Sequence, residues 1–372
     1  MNYYDFGLAH GLSEAGCRVT VYTCQETVVP SDASFAVRRF FKGVYGAGSL
    51  PIRMLKFAAG AAWSVLHARW NKTSIAHFHF FRYGAAELLM VSLARLCVLR
   101  VVVTAHDVES FAGRDVAWLS RLVIALSHHL IVHNQVSKQE IIRVFPSSIE
   151  KVSVVPHGNY VGFQNAALTK EQAREMLGLP ANAPIILFFG QIKQVKGLDV
   201  LLDAFSIVRK QSPEKVYLVI AGKVWKDDFS SYQRQISDLG IADDVIQNIR
   251  YIPDYEAVAY YKAADVVALP YRRIYQSGVL LMAMSLGTLT VASDLPGMTE
   301  VIDDGVNGYI FKKDSPESLS IALLKALFSE KRVSTELIDS AYRKMIDVYS
   351  WNRIGQSLYT DYLKVLPPGS SL

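Results

Sequence analysis

The chain of 372 residues has only three cysteines, Cys17, Cys24 and Cys97, and no Cys-x-x-Cys pair. This excludes a disulfide framework and a zinc ribbon, and unpaired thiols fit a reducing, cytoplasmic compartment. It has no apolar run of the roughly 18 residues that a bilayer span requires. The nearest candidate, 88–103, is interrupted by Arg95 and Arg100. No signal peptide opens the sequence. A Gly-x-Ser-x-Gly elbow is missing, which removes the serine-hydrolase reading, and no Walker Gly-x-x-x-x-Gly-Lys-Ser/Thr order occurs. There is no short repeat, and the one segment that reads as a disordered tail is 367–372.

What is present is a globular balance, about half hydrophobic and a fifth charged, long enough for two domains of roughly 150 residues. The net charge of +5 is lopsided. Residues 1–165 hold 16 Lys and Arg against 10 Asp and Glu, and the remainder 23 against 24. A basic half suits nucleic acid, anionic lipid or a phosphorylated substrate, and its sign alone does not choose.

Short β-rich runs alternate with helical periodicity, the pattern of parallel α/β sheets. Strands are predicted at 19–22, 75–80, 101–104, 130–133 and 152–155, with helices at 3–15, 53–69, 85–97, 116–127 and 138–144. A second series places strands at 185–189, 216–221, 246–251, 266–269 and 290–292. Its helices fall at 198–211, 229–239, 256–263, 279–286 and 317–328. Thr169 and Gln172 form a capping box for a helix ending near Gly178. Two doubly wound domains follow, 1–165 and 166–350, linked through 156–168, with a last helix at 351–366. Ligands of such sheets gather at the strand carboxyl ends, so facing edges would make a cleft.

Two stretches carry candidate chemistry. Residues 188–205 read FFGQIKQVKGLDVLLDAF: a strand, Gly190 for a tight turn, then Lys193 and Lys196 before Gly197 and a helix. Amides at a helix start plus two ammonium groups suit a diphosphate, and a solvated turn with ordinary lysines would read the same. Residues 264–300 read ADVVALPYRRIYQSGVLLMAMSLGTLTVASDLPGMTE, where Ser277 and Gly278 open an apolar helix. That helix start serves phosphate oxygens, or Ser277 is simply its cap.

These motifs resemble glycosyltransferase family 4, retaining enzymes of the GT-B fold. The phosphate-binding turn of the family matches Gly190 to Phe205, joined by VVVTAHD at 101–107, VSVVPHGNY at 152–160, DLPGMTEVIDDGVNGYIF at 294–311 and YSW at 349–351. The matches cover nearly the whole chain in the family's order. The resemblance implies two Rossmann-like domains facing a cleft, with 351–366 crossing back to the first. It implies that Lys196 contacts the donor diphosphate, with Lys193 supplying the second charge because Gln191 stands where an arginine is usual. The paired glutamates of the family are replaced by Ile274 and Met282, and Met282 cannot accept a ribose hydroxyl as a carboxylate would. Gln276-Ser277-Gly278 looks like the variant of a subgroup. The implied donor-binding set is Gly190, Gln191, Lys193, Lys196, Arg272, Gln276, Ser277, Gly278, Met282 and Glu300. The implied catalytic pair is His106 and Asp107, the imidazole to hydrogen-bond the sugar or orient the incoming hydroxyl; the residues also allow the alternative that Asp107 caps the next segment and His106 packs.

The expectation is therefore a retaining transfer from a nucleotide sugar, without metal or other cofactor, to a polysaccharide or polyprenyl-linked saccharide. Loss of the glutamates motivates an alternative, a non-catalytic subunit that partners another transferase; an inverting enzyme is a third. His77 and His79 alternate on one strand and read as packing residues, not metal ligands, and His157 reads as lining the hinge. Residues 38–72 interleave basic and apolar side chains. This is the composition of a segment on an anionic membrane surface, on the inner face, or of a buried helix with a solvated basic edge. It also suits a lipid-diphosphate acceptor, and nothing else favours nucleic acid. The opening MNYYDFGLAHGLSEAGCRVTVYTC reads as a first helix and second strand, so Met1 is expected to be an internal methionine of a longer chain.

Overall fold

A computed structural model describes residues 2–45, 48–106, 117–163, 168–225 and 228–367. Asp107 lies outside the described residues. The chain divides into two compact units: Met1–Gly158 with Val348–Leu372, and Asn159–Asp347. The boundary thus falls at Gly158/Asn159, where 165/166 was expected. Among the described residues no helix is long and apolar enough to cross a membrane.

In unit 1 the order is α1 (Asn2–Glu14), β1 (Thr20–Cys24), β2 (Ala36–Phe41), α2 (Leu50–Trp70), β3 (Ile75–Phe80), α3 (Ala85–Leu96), β4 (Arg100–Ala105), α4 (Ala117–Leu126), β5 (His129–Val132), α5 (Gln135–Val144) and β6 (Val152–Val154). β1 and β2 pair in parallel, and β3-β4-β5-β6 form a separate parallel sheet. β2 escaped the sequence reading because Arg38-Arg39 breaks its alternation; both are exposed, as an edge strand permits.

The last helix of the chain, Trp351–Val365, belongs to unit 1. Tyr4, Leu8 and Leu12 at helical spacing meet Ile354, Leu358 and Tyr362 over Val102, Ile131 and Val155. Glycine permits the close crossing: a Cβ on Gly355 would stand 2.0 Å from the Gly11 carbonyl oxygen.

Unit 2 runs α6 (Lys170–Leu177), β7 (Ile185–Phe189), α7 (Leu198–Gln211), β8 (Tyr217–Ala221), α8 (Ser230–Asp238), β9 (Val245–Asn248), α9 (Asp254–Ala263), β10 (Val266–Leu269), α10 (Gly278–Ser285), β11 (Leu289–Ser293), α11 (Pro296–Thr299), β12 (Tyr309–Phe311), α12 (Pro316–Phe328) and α13 (Lys331–Asp347). The terminal Trp351–Val365 helix is α14. The Thr169–Gln172 box opens α6 and Gly178, at φ +62°, closes it.

The six strands lie parallel in the order β12-β11-β10-β7-β8-β9. The order reverses between β7 and β10, so their carboxyl ends flank the crevice where doubly wound sheets bind ligands. Both faces are covered, hence the continuous apolar runs in the strands. Ile186, Phe188, Leu218 and Ile220 pack against Leu198, Leu201 and Phe205 of α7. α13 was not foreseen. It buries only Leu337, Ala341 and Met345, one narrow stripe on an otherwise polar helix.

Candidate functional site

At the switch point of unit 2 the chain leaves β7 through Gly190 at φ +105°, with its amide donating to the Ala221 oxygen at 2.9 Å. Extended residues follow beside 222–225 through the Ile192–Val224 bridge. A single 3-10 turn, Gln194–Lys196, then delivers Gly197 at φ +67° as the cap of α7. Only glycine fits here: a Cβ on Gly197 would lie 1.9 Å from the Pro270 oxygen. The loop after β10 is sewn to this turn. The Arg272 amide donates to the Val195 oxygen at 2.9 Å. The Arg272 guanidinium grips both Asp199 oxygens at 2.7 and 2.6 Å and Asp314 at 2.7 Å. Those charge-assisted bonds push its pKa up.

Lys196 stands on the face of Tyr271, its Nζ 3.6 Å from the ring centroid. Burial pulls its pKa down to about 8. Among the described residues it makes no salt bridge, so a half-buried ammonium lacks a counterion. α10 begins beside it in the sheet order. Ser277 is 3% exposed and caps the helix, its Oγ accepting from the Leu280 amide at 3.2 Å. Among the described residues the Gly278 and Val279 amides donate to no backbone carbonyl, leaving two donors and the positive helix end. Val279 lies against Gly190, and the Tyr160 hydroxyl would be 3.1 Å from a Cβ on Gly278. Gly190, Lys196, Ser277 and Gly278 are thus gathered into one anion-suited edge.

The other sequence-predicted residues are placed differently. Lys193 Nζ lies 4.9 Å from the Trp225 ring, and Gln191 is exposed. Arg272 was expected to hold the donor; its guanidinium is instead committed to Asp199 and Asp314, which makes it the clamp between two loops. Gln276 is half-buried, Met282 sits half-buried one turn into α10, and Glu300 is exposed at the end of α11. The sequence reading passed over Asp199, Asp314, Tyr160 and Tyr271. For Asp199 and Asp314 the one available signal was their opposite charge to Arg272.

In unit 1 the carboxyl ends of β3, β4 and β5 bring histidines together. His106 Nε2 is 3.2 Å from His79 Nδ1, and His106 Nδ1 is 3.1 Å from His133 Nε2. His133 Nδ1 lies 3.0 Å from the Val155 carbonyl oxygen. A carbonyl only accepts, so His133 carries its proton on Nδ1. Burial holds the His133 and His79 pKa values down to about 4, and burial with the neighbouring imidazoles lowers that of His106. All three rings are therefore neutral near pH 7, and the protons line up: His79 donates to His106, His106 to His133, His133 to Val155. His106 also stacks on Phe81, 4.4 Å and 2° apart, and Tyr4 approaches it edge-on at 4.7 Å. Both His106 nitrogens are engaged, so a hydroxyl reaches it only by displacing His79 or His133.

His77 is held by the Tyr362 hydroxyl at 2.6 Å and Thr104 at 2.7 Å. His157 donates to the Gly158 oxygen at 2.8 Å. Among the described residues no three His, Cys, Asp or Glu side chains converge as a metal site. His133 was missed, although its place just past β5 parallels that of His106 just past β4.

Two family models match in tandem: "Glycosyltransferase Family 4" over 4–159 and "Glycosyl transferases group 1" over 169–344. A D-inositol 3-phosphate glycosyltransferase of Xylanimonas cellulosilytica is 26% identical, covering 94% of this chain and 91% of the relative. A second, from Corynebacterium diphtheriae, is 26% identical over 88% of this chain and 81% of its own. Among solved structures, Anabaena HepE in complex with UDP and glucose superposes at TM-score 0.75 with 19% identity, covering 96% of this chain and 95% of that one. Sucrose-phosphate synthase from Thermosynechococcus elongatus gives 0.71 and 18%, covering 98% and 93%.

Proposed function

The chain belongs to glycosyltransferase family 4, and from that premise we propose that it moves a glycosyl unit from a nucleotide-diphosphate donor onto a saccharide acceptor, with retention at the anomeric carbon. The observation that carries the donor half is Lys196: an ammonium on the ring of Tyr271 that among the described residues has no salt-bridge partner, beside the Gly278 and Val279 amides, which among those residues donate to no backbone carbonyl. Together they meet the charge that grows on a leaving diphosphate, where preorganised donors are worth most. HepE, a neighbour in fold, is described in complex with UDP and with UDP-glucose. This supports a uridine-type donor here.

The catalytic assignment of His106 rests on its exchanging the bond to His79 for one to a sugar hydroxyl, while His133 keeps the ring oriented. No metal is needed in this scheme, because lysine and amides supply the positive charge. The acceptor hydroxyl attacks from the face that the diphosphate leaves, and the diphosphate takes its proton. The acceptor we assign is a polysaccharide or polyprenyl-linked saccharide, met at an anionic membrane surface. A panel of nucleotide sugars in thermal-shift assays identifies the donor by stabilisation. Proton spectra of the product then give the anomeric configuration. Inversion removes the retaining scheme, and absence of any donor-dependent stabilisation removes the donor assignment.

A further inference from the structure

The long helix α2 presents its large apolar residues to solvent. Ile52, Leu55, Trp63, Leu66 and Trp70 are exposed by 54, 72, 64, 51 and 87%. Spacings of three, eight, three and four residues, close to whole helical turns, set them along one stripe. The opposite side buries Gly60, Ala61, Ser64, Val65 and Ala68. Small residues are required there, since a Cβ on Gly60 would lie 2.9 Å from the Phe41 ring and 3.0 Å from the Phe40 oxygen. The helix therefore packs inward through its small face, and the alternative of a buried helix with only a basic edge in water is not what the structure shows.

Charge says what covers the stripe. From 33 to 86 the sequence has no Asp or Glu and eight Lys and Arg. At the carboxyl ends of α2 and α3, Arg69, Lys72, Arg95 and Arg100 line one pocket of about 460 Å³. Among the described residues none of the four forms a salt bridge. Trp70 adjoins Arg69, and Val98 on the pocket wall is 82% exposed. Two copies facing each other through this surface would bring two sets of these four cations together, so self-association is opposed by repulsion.

We propose that this face of unit 1 docks on an anionic phospholipid bilayer. The α2 stripe, about 27 Å long from Ile52 to Trp70 at 1.5 Å per residue, enters the boundary between headgroups and acyl chains, and the four-cation pocket takes a lipid phosphate. Tryptophan flanked by Lys and Arg is the composition that favours this interface over water or hydrocarbon. The inference rests on the reading of the acceptor as membrane-borne and names the surface that would bring the enzyme to it.

The test is co-sedimentation of the full chain with vesicles of phosphatidylcholine alone and of phosphatidylcholine with phosphatidylglycerol. Binding is expected only to the anionic vesicles, weakening as salt rises, with a blue shift of tryptophan emission. Trp63→Ser with Trp70→Ser abolishes that shift. Arg69→Gln, Lys72→Gln and Arg95→Gln together weaken binding on the order of a hundredfold, about fivefold per cation. Thermal stabilisation by UDP stays as in the unaltered chain. Equal binding to neutral vesicles, no binding, or variants that bind normally would each overturn the proposal. So would a stripe variant that converts a dimer to a monomer in light scattering, since the stripe then covers a second copy. Vesicle binding without sugar transfer leaves the docking face standing and sinks the transferase acceptor reading. Transfer to a saccharide acceptor without vesicle binding does the reverse.

Discussion

At the carboxyl edge of its sheet, unit 2 gathers an ammonium, two amides without a backbone acceptor among the described residues and a helix start, whereas unit 1 gathers neutral imidazoles and aromatic rings. All nine histidines of the chain lie between His10 and His157, and unit 2 has none. One edge is arranged to meet negative charge, and the other to present uncharged hydrogen-bonding groups in a half-dry setting. The contrast teaches that similar parallel sheets acquire opposite electrostatics from the loops after a few strands. It also makes the two edges respond differently to mutation and to pH.

The largest effect is expected at the glycine of the phosphate turn. Gly197→Val forces a β-branched residue to positive φ and against the Pro270 oxygen. The expected loss is about 3 kcal/mol or more of stability, together with all UDP-induced stabilisation. Gly178→Ala is the control: φ is +62° with nothing within 4 Å, so about 1 kcal/mol is expected. Equal losses in denaturant titrations would break the claim that close approach, and not conformation alone, fixes this turn.

Lys196→Ala should lower kcat/KM by about a hundredfold or more with little change in melting temperature. Because the free pKa is about 8, donor affinity should fall as pH rises through 8, when the ammonium is lost. The stability of the free protein should move the other way. Between 8 and the ordinary lysine value the unfolded chain binds more protons, so folding is favoured as pH rises. A donor affinity flat from pH 7 to 9.5 would show that the lysine is not the contact.

The pH response of unit 1 lies on the acid side. His133 and His157 are buried, with pKa values held to about 4 and about 3, burial being the larger cause for each. The unfolded state then binds more protons between these values and 6.5. Their stabilising contribution is full above 6.5 and is lost as pH falls toward 4, about 3 kcal/mol for His133 alone. Hydrogen exchange at pH 7 and pH 4.5 should show protection lost first in β3–β6 and α14, not in β7–β12. His133→Asn tests the hydrogen-bonded chain at its anchor. About a tenfold drop in kcat is expected, with UDP affinity unchanged and the acid limb of the stability profile flattened. The smallest effect belongs to Ser277→Ala, about 1 kcal/mol from the lost cap.

Much of this was legible beforehand because it is local. Gly190, Lys196 and Gly197 lie within one turn, and Ser277-Gly278 stand where an apolar helix begins, so spacing alone placed them at strand-to-helix junctions. Arg272 was legible as a cation but not as a clamp. Its partners Asp199 and Asp314 come from a helix start and a loop far along the chain, and nothing local announces them. His106 was picked out and His133 was not, because the link between them runs across neighbouring strands.

The sequence by itself determined the strand–helix alternation, the turn glycines, the basic amino-terminal half and the phosphate-suited amides, since each depends on residues adjacent in the chain. Only the tertiary structure decided that Arg272 is neutralised, that three imidazoles share an ordered set of protons, and that the apolar side of α2 faces outward. The physical reason is that pairing, burial and the direction of a helix face are properties of what arrives from elsewhere in the chain, and periodicity alone does not say which side of α2 meets a neighbour.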